Sequence, residues 1–389
     1  MKKVISTEKI PIKLWLDDAD EGTLVQAKNL ANLPFAFKHV VLMPDAHLGY
    51  GMPIGGVLAT KGVVIPNAVG VDIGCGMCAV PTNLEVIKTE KLKDIMNGIR
   101  ALVPLGFEHQ QTAQDNTRMP NTDEIVKFGV VEKQYIAALK QIGTLGGGNH
   151  FIEIQKGSDG HIWIMIHSGS RNIGLKVAEH YNRVAKHFNE MWFTAVDSKQ
   201  DLAFLPIETH EAKAYLKEMK YCVDFALANR KLMMDNILSV FGEVIGKKFE
   251  ALDFINIAHN YARWENHYGE NVLVHRKGAT SARDGETGII PGSQGTKSYI
   301  VKGLGNPQSF ESCSHGAGRK LGRRQAIREL DLKTEAAMLD KKGVIHSLRS
   351  NSDLDEAPGA YKDIDVVMEN QSDLVEIAVE LTPLAVIKG

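Results

Sequence analysis

A chain of 389 residues with 44% hydrophobic and 24% charged side chains has the balance of a globular protein able to bury a large core. Its formal net charge of −2 gives no global cationic field, so any nucleic-acid contact must be a local patch. Scattered cysteines (Cys75, Cys78, Cys222, Cys313) exclude a disulfide scaffold and predict a reducing, cytoplasmic setting, and no apolar run approaches the roughly 18 residues of a membrane span.

In chain order, apolar runs predict strands over 39–43, 55–60 and 77–81, and helical periodicity predicts helices over 89–102 and 132–141. The polar stretch 108–122 reads as a surface loop. Strands follow over 151–155 and 162–166, helices over 176–191 and 210–244 (the latter readable as whole or broken), then strands over 254–257, 272–275 and 298–301. A helix over 324–339 and a strand over 377–386 complete the pattern. Helices and strands do not alternate regularly, which disfavours a doubly wound sheet and predicts an α+β fold. No internal repeat appears, and the glycine clusters between strands suggest one site built from many loops. A single domain over 1–389 is expected.

Chemistry concentrates where strands end. Asp72 and Cys75 are three apart across Ile-Gly, in a turn able to aim both side chains at one point. His150 follows three glycines and Asn149, while His167 and His259 close predicted strands. Any one of these histidines alone is more often a hydrogen-bonded core residue than a ligand. Their joint placement beside a thiolate and a carboxylate predicts a centre for two metal ions. Cys75 and Cys78 also admit a redox pair or half a zinc knuckle. A knuckle lacks its second pair, and a redox motif opens a helix where Cys78 looks strand-borne.

Two small-residue loops, Pro291-Gly-Ser-Gln294 running to Ser298 and His315-Gly-Ala-Gly-Arg319, offer backbone N–H groups suited to phosphates, although neither matches a nucleotide fingerprint. Tight turns are the plain alternative. His315 lacks an apolar neighbour to pack it, and a neutral imidazole pinned there is a candidate nucleophile. Asp45 is read as orienting a ligating histidine or capping its turn. Among the basic residues near these loops, Arg171 and Arg319 sit inside glycine turns and are the better phosphate candidates, whereas Arg323 and Arg324 read as solvated surface.

Over nearly its whole length the chain resembles the RNA-splicing ligase RtcB family. The resemblance is carried by Pro44-Asp-Ala-His-Leu-Gly-Tyr-Gly51, Gly70-Val-Asp-Ile-Gly-Cys-Gly76, Asn149-His-Phe-Ile-Glu153, His167-Ser-Gly-Ser-Arg171, Ala258-His-Asn260, Arg276-Lys-Gly-Ala279, Gly288-Ile-Ile-Pro-Gly-Ser293 and Ser314-His-Gly-Ala-Gly-Arg319. It departs from that pattern at Ala46, Asn172 and Gly322. The likeness implies a single α+β domain that uses GTP and two manganese ions to join an RNA 3′-phosphate, or 2′,3′-cyclic phosphate, to a 5′-hydroxyl end. By that likeness Asp72, Cys75 and His150 hold one ion, and Cys75, His167 and His259 hold the other. His315 corresponds to the histidine that accepts GMP, with Asp45 and Arg171 expected beside it in the catalytic set. Asn149, His150, Phe151, Ile152, Glu153, His259, Asn260, Pro291, Gly292, Ser293, Gln294, Ser298, His315, Gly316, Ala317, Gly318 and Lys388 match guanylate-binding segments. Thiolate and imidazoles by themselves suit zinc; manganese comes from the resemblance alone. The expected partners are RNA, GTP and an activating protein where one is needed, with the chain a monomer. The rival readings are a metal-dependent phosphohydrolase and a nucleotide- or RNA-binding protein with a structural metal.

Overall fold

Apolar runs separated by glycine turns form two larger sheets in the computed structural model, which describes all residues except 124, 128 and 247. The six-stranded sheet runs Lys3–Ile5, Ile12–Leu14, Ala36–His47, Ile54–Thr60, Glu270–Lys277, Asn260–His267. Only its pair Ile12–Leu14 with Ala36–His47 is parallel. The seven-stranded sheet is antiparallel throughout: Ile255–Ala258, Gly76–Pro81, Ile162–Ser168, Phe151–Gly157, Val375–Lys388, Ser298–Gly303, Thr287–Ile290. A ribbon of Ala279–Ser281 with Ser312–Ser314 lies beside them. This is an α+β arrangement, as the irregular order of elements predicts.

Each predicted strand is present, most of them longer by one to a few residues, and the strand expected over 254–257 is shifted by one to Ile255–Ala258. One face of the seven-stranded sheet carries Ile152, Ile154, Ile164 and Ile166. These pack against Ile95 and Ile99 of the helix Thr89–Leu102 and Met233, Ile237 and Phe241 of the helix His210–Ile245. The latter is unbroken. Thr209 caps it by accepting from the Ala212 N–H at 3.2 Å, Gly246 ends it at φ 102°, and at 1.5 Å per residue it spans about 54 Å.

The helix expected over 324–339 is instead two, Arg323–Glu329 and Leu332–Lys341. Leu330 adopts extended backbone, and the Asp331 carboxylate accepts from the Thr334 N–H at 2.8 Å, so a strong cap restarts the helix where periodicity alone continues it. The helix expected from 176 begins earlier, at Arg171, directly after the Ser-Gly-Ser turn. Sequence pattern misses the helix Glu21–Ala31, whose first turn contains Gly22 and Thr23, and the polar strand Asn260–His267.

Arg276 is not a surface cation. It is fully buried, donating to both Glu265 carboxylate oxygens at 2.6 and 3.0 Å, to the Phe310 carbonyl and to Ser312 Oγ. Burial pushes the Glu265 carboxyl up, but Arg276, His267 and Arg263 outweigh it and hold it far below the usual carboxylate range. A folded-state pKa below the unfolded one gives stability that is complete above about pH 4.3 and is lost as pH falls through the folded value. Glu265→Ala strands the guanidinium in the core and is expected to cost about 3–5 kcal/mol at neutral pH, read from denaturant unfolding. A cost below about 1 kcal/mol contradicts this account of the pair.

Candidate metal and nucleotide site

The register of the seven-stranded sheet brings distant residues to one edge. Gly76 pairs with Ser168 on one side and Ala258 on the other, while Phe151 pairs with His167 and Lys388. Antiparallel strands alternate in direction, so the start of one lies beside the end of the next. Cys75, His150, His167, His259 and Lys388 therefore share a single end of the sheet.

There, donor atoms converge. Cys75 Sγ lies 3.4 Å from His150 Nε2 and 3.3 Å from His167 Nε2; His167 and His259 face each other Nε2 to Nε2 at 3.4 Å; and Asp72 Oδ2 is 3.3 Å from His150 Nε2. His150 Nδ1–H donates to the Leu145 carbonyl at 2.9 Å and His167 Nδ1–H to that of Asn149 at 3.1 Å. Both tautomers are thus fixed, leaving Nε2 as a bare lone pair pointed at the thiol. Burial holds His167 and His259 well below the usual histidine range, hence neutral. Burial and the neighbouring Asp72 push the Cys75 thiol up, so a cation must displace its proton. A buried pocket this rich in nitrogen, sulfur and carboxylate donor atoms suits a cation. Two groups meet this description: Asp72, Cys75 and His150, and Cys75, His167 and His259, with the donor atoms of each within 4.8 Å of one another. Shared by both, Cys75 is placed to bridge. Cys78 instead packs in the hydrophobic core, which removes the redox-pair and zinc-knuckle readings.

The loops that carry the ligands are buttressed from below, by residues that sequence reasoning misses. Asn229 and Arg230 interrupt the apolar face of the long helix. Asn229 accepts from the Gly143 and Thr144 N–H groups at 2.7 and 3.1 Å and donates to the Gly169 carbonyl; Arg230 donates to the carbonyls of Ser168 and Gly74. Gly74 (φ +74°) packs so closely on this helix that a Cβ would lie 2.7 Å from Val223 Cα. A buried Asn-Arg pair within a helical apolar pattern is the available signal.

Next to the ligands, the ribbon strand Ser312–Ser314 delivers His315, whose ring centroid is 4.8 Å from that of His259. Asp45 orients His315 rather than a ligating histidine. Its buried carboxylate accepts from His315 Nδ1–H at 2.6 Å and from the backbone N–H groups of His315 and Gly316 at 3.1 and 3.3 Å. Burial raises the Asp45 pKa, but His315 brings it below the usual value, so the carboxylate is ionised and His315 presents Nε2 as its free nitrogen. Gly318 (φ +74°) lies against Asp45, where a Cβ would come within 2.2 Å of the carbonyl oxygen.

A cavity of about 660 Å³ opens over His315 and His167, a volume suited to a nucleotide. Asn149, Phe151, Glu153, Pro291, Gly292, Ser293, Gln294, Gly316, Ala317, Gly318 and Lys388 line it. Ile152 points the other way along its strand, into the core. Ser298 lies behind the wall, its hydroxyl accepting from the Gly292 N–H at 3.1 Å, and Asn260 ties Asp72 to Gly278. Burial pushes the Glu153 carboxyl up to about 8 despite the Gln155 amide and Lys388. Arg171 opens its helix at φ 58° and donates to Thr144 Oγ1 and the Gly106 carbonyl, each at 3.0 Å, behind the His150 loop and outside the cavity lining. Arg319 and Arg323 both donate to Glu356 at 3.0 Å on the cavity wall, so Arg323 is not merely solvated surface.

Comparison with known proteins agrees with this geometry. A family described as tRNA-splicing ligase RtcB matches residues 26–135 and 127–389. The chain is 39% identical to RNA-splicing ligase RtcB of Escherichia coli K12, covering 100% of this chain and 99% of that protein. It is 32% identical to RNA-splicing ligase RtcB of Mycobacterium bovis (94% and 100% covered) and 30% identical to tRNA-splicing ligase RtcB of Thermococcus kodakarensis (98% and 95%). No helix among the described residues is long and apolar enough to cross a membrane. With matches across its full length and candidate metal-ligand groups on one sheet edge, the chain belongs to the RtcB ligase family.

Proposed function

We propose that the protein is an RNA ligase that uses GTP and two manganese ions to join a 3′-phosphate, or a 2′,3′-cyclic phosphate, to a 5′-hydroxyl end. The observation that carries this reading is His315, pinned by a buried aspartate and in ring contact with His259 of a Cys75-bridged donor set. Asp72, Cys75 and His150 would hold one ion, and Cys75, His167 and His259 the other. When bound, these ions supply charge neutralisation for the phosphates and the leaving pyrophosphate.

The chain's own residues do the rest. Asp45 fixes the His315 tautomer and stabilises positive charge as Nε2 attacks the α-phosphate, a role like that of the aspartate in a Ser-His-Asp triad. The new P–N bond replaces the bond to pyrophosphate. The wall from Pro291 to Gln294 and from Gly316 to Gly318 offers backbone donors to phosphate, Phe151 a face for the base, Glu153 a carboxyl for its polar edge, and Lys388 a cation. Transfer of GMP to an RNA 3′-phosphate then turns a poor electrophile into an anhydride that a 5′-hydroxyl can attack. The site draws on residues from Asp45 to Lys388, which supports one ligase domain over 1–389.

GTP radiolabelled at the α-phosphate, mixed with the native protein and manganese, is expected to leave an acid-labile, alkali-stable label on the protein. Adding the two RNA ends should discharge that label and yield the joined strand. Release of inorganic phosphate without any adduct would instead establish a phosphohydrolase.

A further inference from the structure

Among the described residues, three imidazoles reach the cavity wall: His167, His315 and His47. The first two have been given roles, as ligand and nucleophile. His47 has none, yet it is held as carefully. It ends the strand Ala36–His47, and its Nδ1–H donates to the backbone carbonyl of Asp45 at 2.9 Å. One residue thus orients two rings: the Asp45 carboxylate fixes His315, and the Asp45 carbonyl fixes His47. Lys362 steadies the same segment, donating to the Ala46 carbonyl at 2.6 Å and that of Pro44 at 3.3 Å. With Nδ1 committed as a donor, the remaining nitrogen of His47, Nε2, carries a lone pair and has no hydrogen-bond partner among the described residues.

The carboxylates of this cavity are already hydrogen-bonded. Asp20 accepts from the Thr23 N–H and hydroxyl at 2.8 and 2.6 Å, Glu356 is shared between Arg319, Arg323 and Tyr361, and Glu153 is bonded to Gln155. Burial keeps the His47 ring neutral, with its pKa lowered to about 4. The cavity is therefore walled by donors and paired carboxylates, and besides the nucleophile His315 the lone pair of His47 is a neutral acceptor able to meet a hydroxyl.

Resting on the ligase reading, we infer that His47 is a further catalytic residue, the general base that receives the proton of the RNA 5′-hydroxyl in the sealing step. In that step the 5′-oxygen forms a bond to the phosphorus of the activated 3′-phosphate. The bond from that phosphorus to the oxygen bridging it to GMP breaks, GMP leaves with the electron pair, and the hydroxyl proton passes to His47 Nε2. Guanylylation of His315 involves no hydroxyl, so it does not need this base.

Separating the two steps tests the assignment. Full-length native, His47→Ala and His47→Asn proteins, loaded with manganese, are assayed for His315–GMP formation from GTP. They are then assayed for sealing of an RNA whose 3′ end already carries the GMP anhydride to a 5′-hydroxyl strand. Sealing is expected to fall about 10²–10⁴-fold in both variants, at least tenfold more than guanylylation falls, and added imidazole should restore part of it in His47→Ala. Equal losses in both steps, or unimpaired sealing, overturn the inference. If His47→Ala does not fold, judged by its melting midpoint, the step ratio of His47→Asn decides. Failure of the native protein to seal would sink the ligase reading itself, and is told apart by that control.

Discussion

With His315 replaced by alanine, no GMP should become attached to the protein, and end joining should fall on the order of 10⁴–10⁶-fold, the scale on which losing a covalent nucleophile registers. The reason is positional. His315 is half-buried at the end of a short ribbon, its Nδ1 committed to Asp45 and its ring against His259. No other unliganded imidazole shares that contact among the described residues. Asp45→Asn should be milder, about 10²–10⁴-fold in the guanylylation rate, because an amide cannot favour the same tautomer or balance the cation that forms on the ring. Both are read by rapid-quench labelling with GTP at saturating manganese. Covalent labelling that survives His315→Ala would move the nucleophile elsewhere and dismantle the assignment.

Replacing Cys75 with alanine should empty both metal positions, whereas Asp72→Ala should weaken mainly one. Cys75 Sγ belongs to both donor groups, and Asp72 to one. Losing a partner outside the ligand shell commonly weakens a metal about 10–100-fold, and losing a shared thiolate should exceed that at both positions. Manganese titration followed by elemental analysis after dialysis gives the count: about two ions in the native chain, fewer than one in Cys75→Ala and near one in Asp72→Ala. Equal retention by all three proteins would mean that the thiolate is not a bridge. The substitution removes a single buried sulfur, so a melting midpoint unchanged between the metal-free proteins separates metal loss from unfolding.

Much of this candidate centre is legible in the sequence because its donor residues announce themselves locally. A histidine at the end of an apolar run, or after three glycines, breaks the pattern a core strand follows. His150, His167 and His259 are each visible in that way. Their convergence is not, since it depends on strand order and register, which no local pattern encodes. Asp45 shows the limit clearly. Its position beside a strand end marks it as important, yet which imidazole it contacts depends on a residue 270 positions away. Arg323 is a partial case. Its side chain is more than half exposed, as a solvated charge would be, yet its pairing with the buried Glu356 depends on a residue the local pattern does not reveal. The split at Asp331 is a third case, where one capping carboxylate overrides a periodic run.

The edge-of-sheet origin of the donors also bears on how the centre comes into being. Pairing side chains alternate faces, so slipping the strand Ile162–Ser168 by one residue against either neighbour would turn His167 away from Cys75. Partial assembly is therefore useless for capturing an ion. Because the donors span positions 72 to 259, large loops must close first, and topologies with such remote contacts fold slowly. A cation arriving late would act as a lock on correct alignment, rewarding only chains whose strands have already found their proper partners.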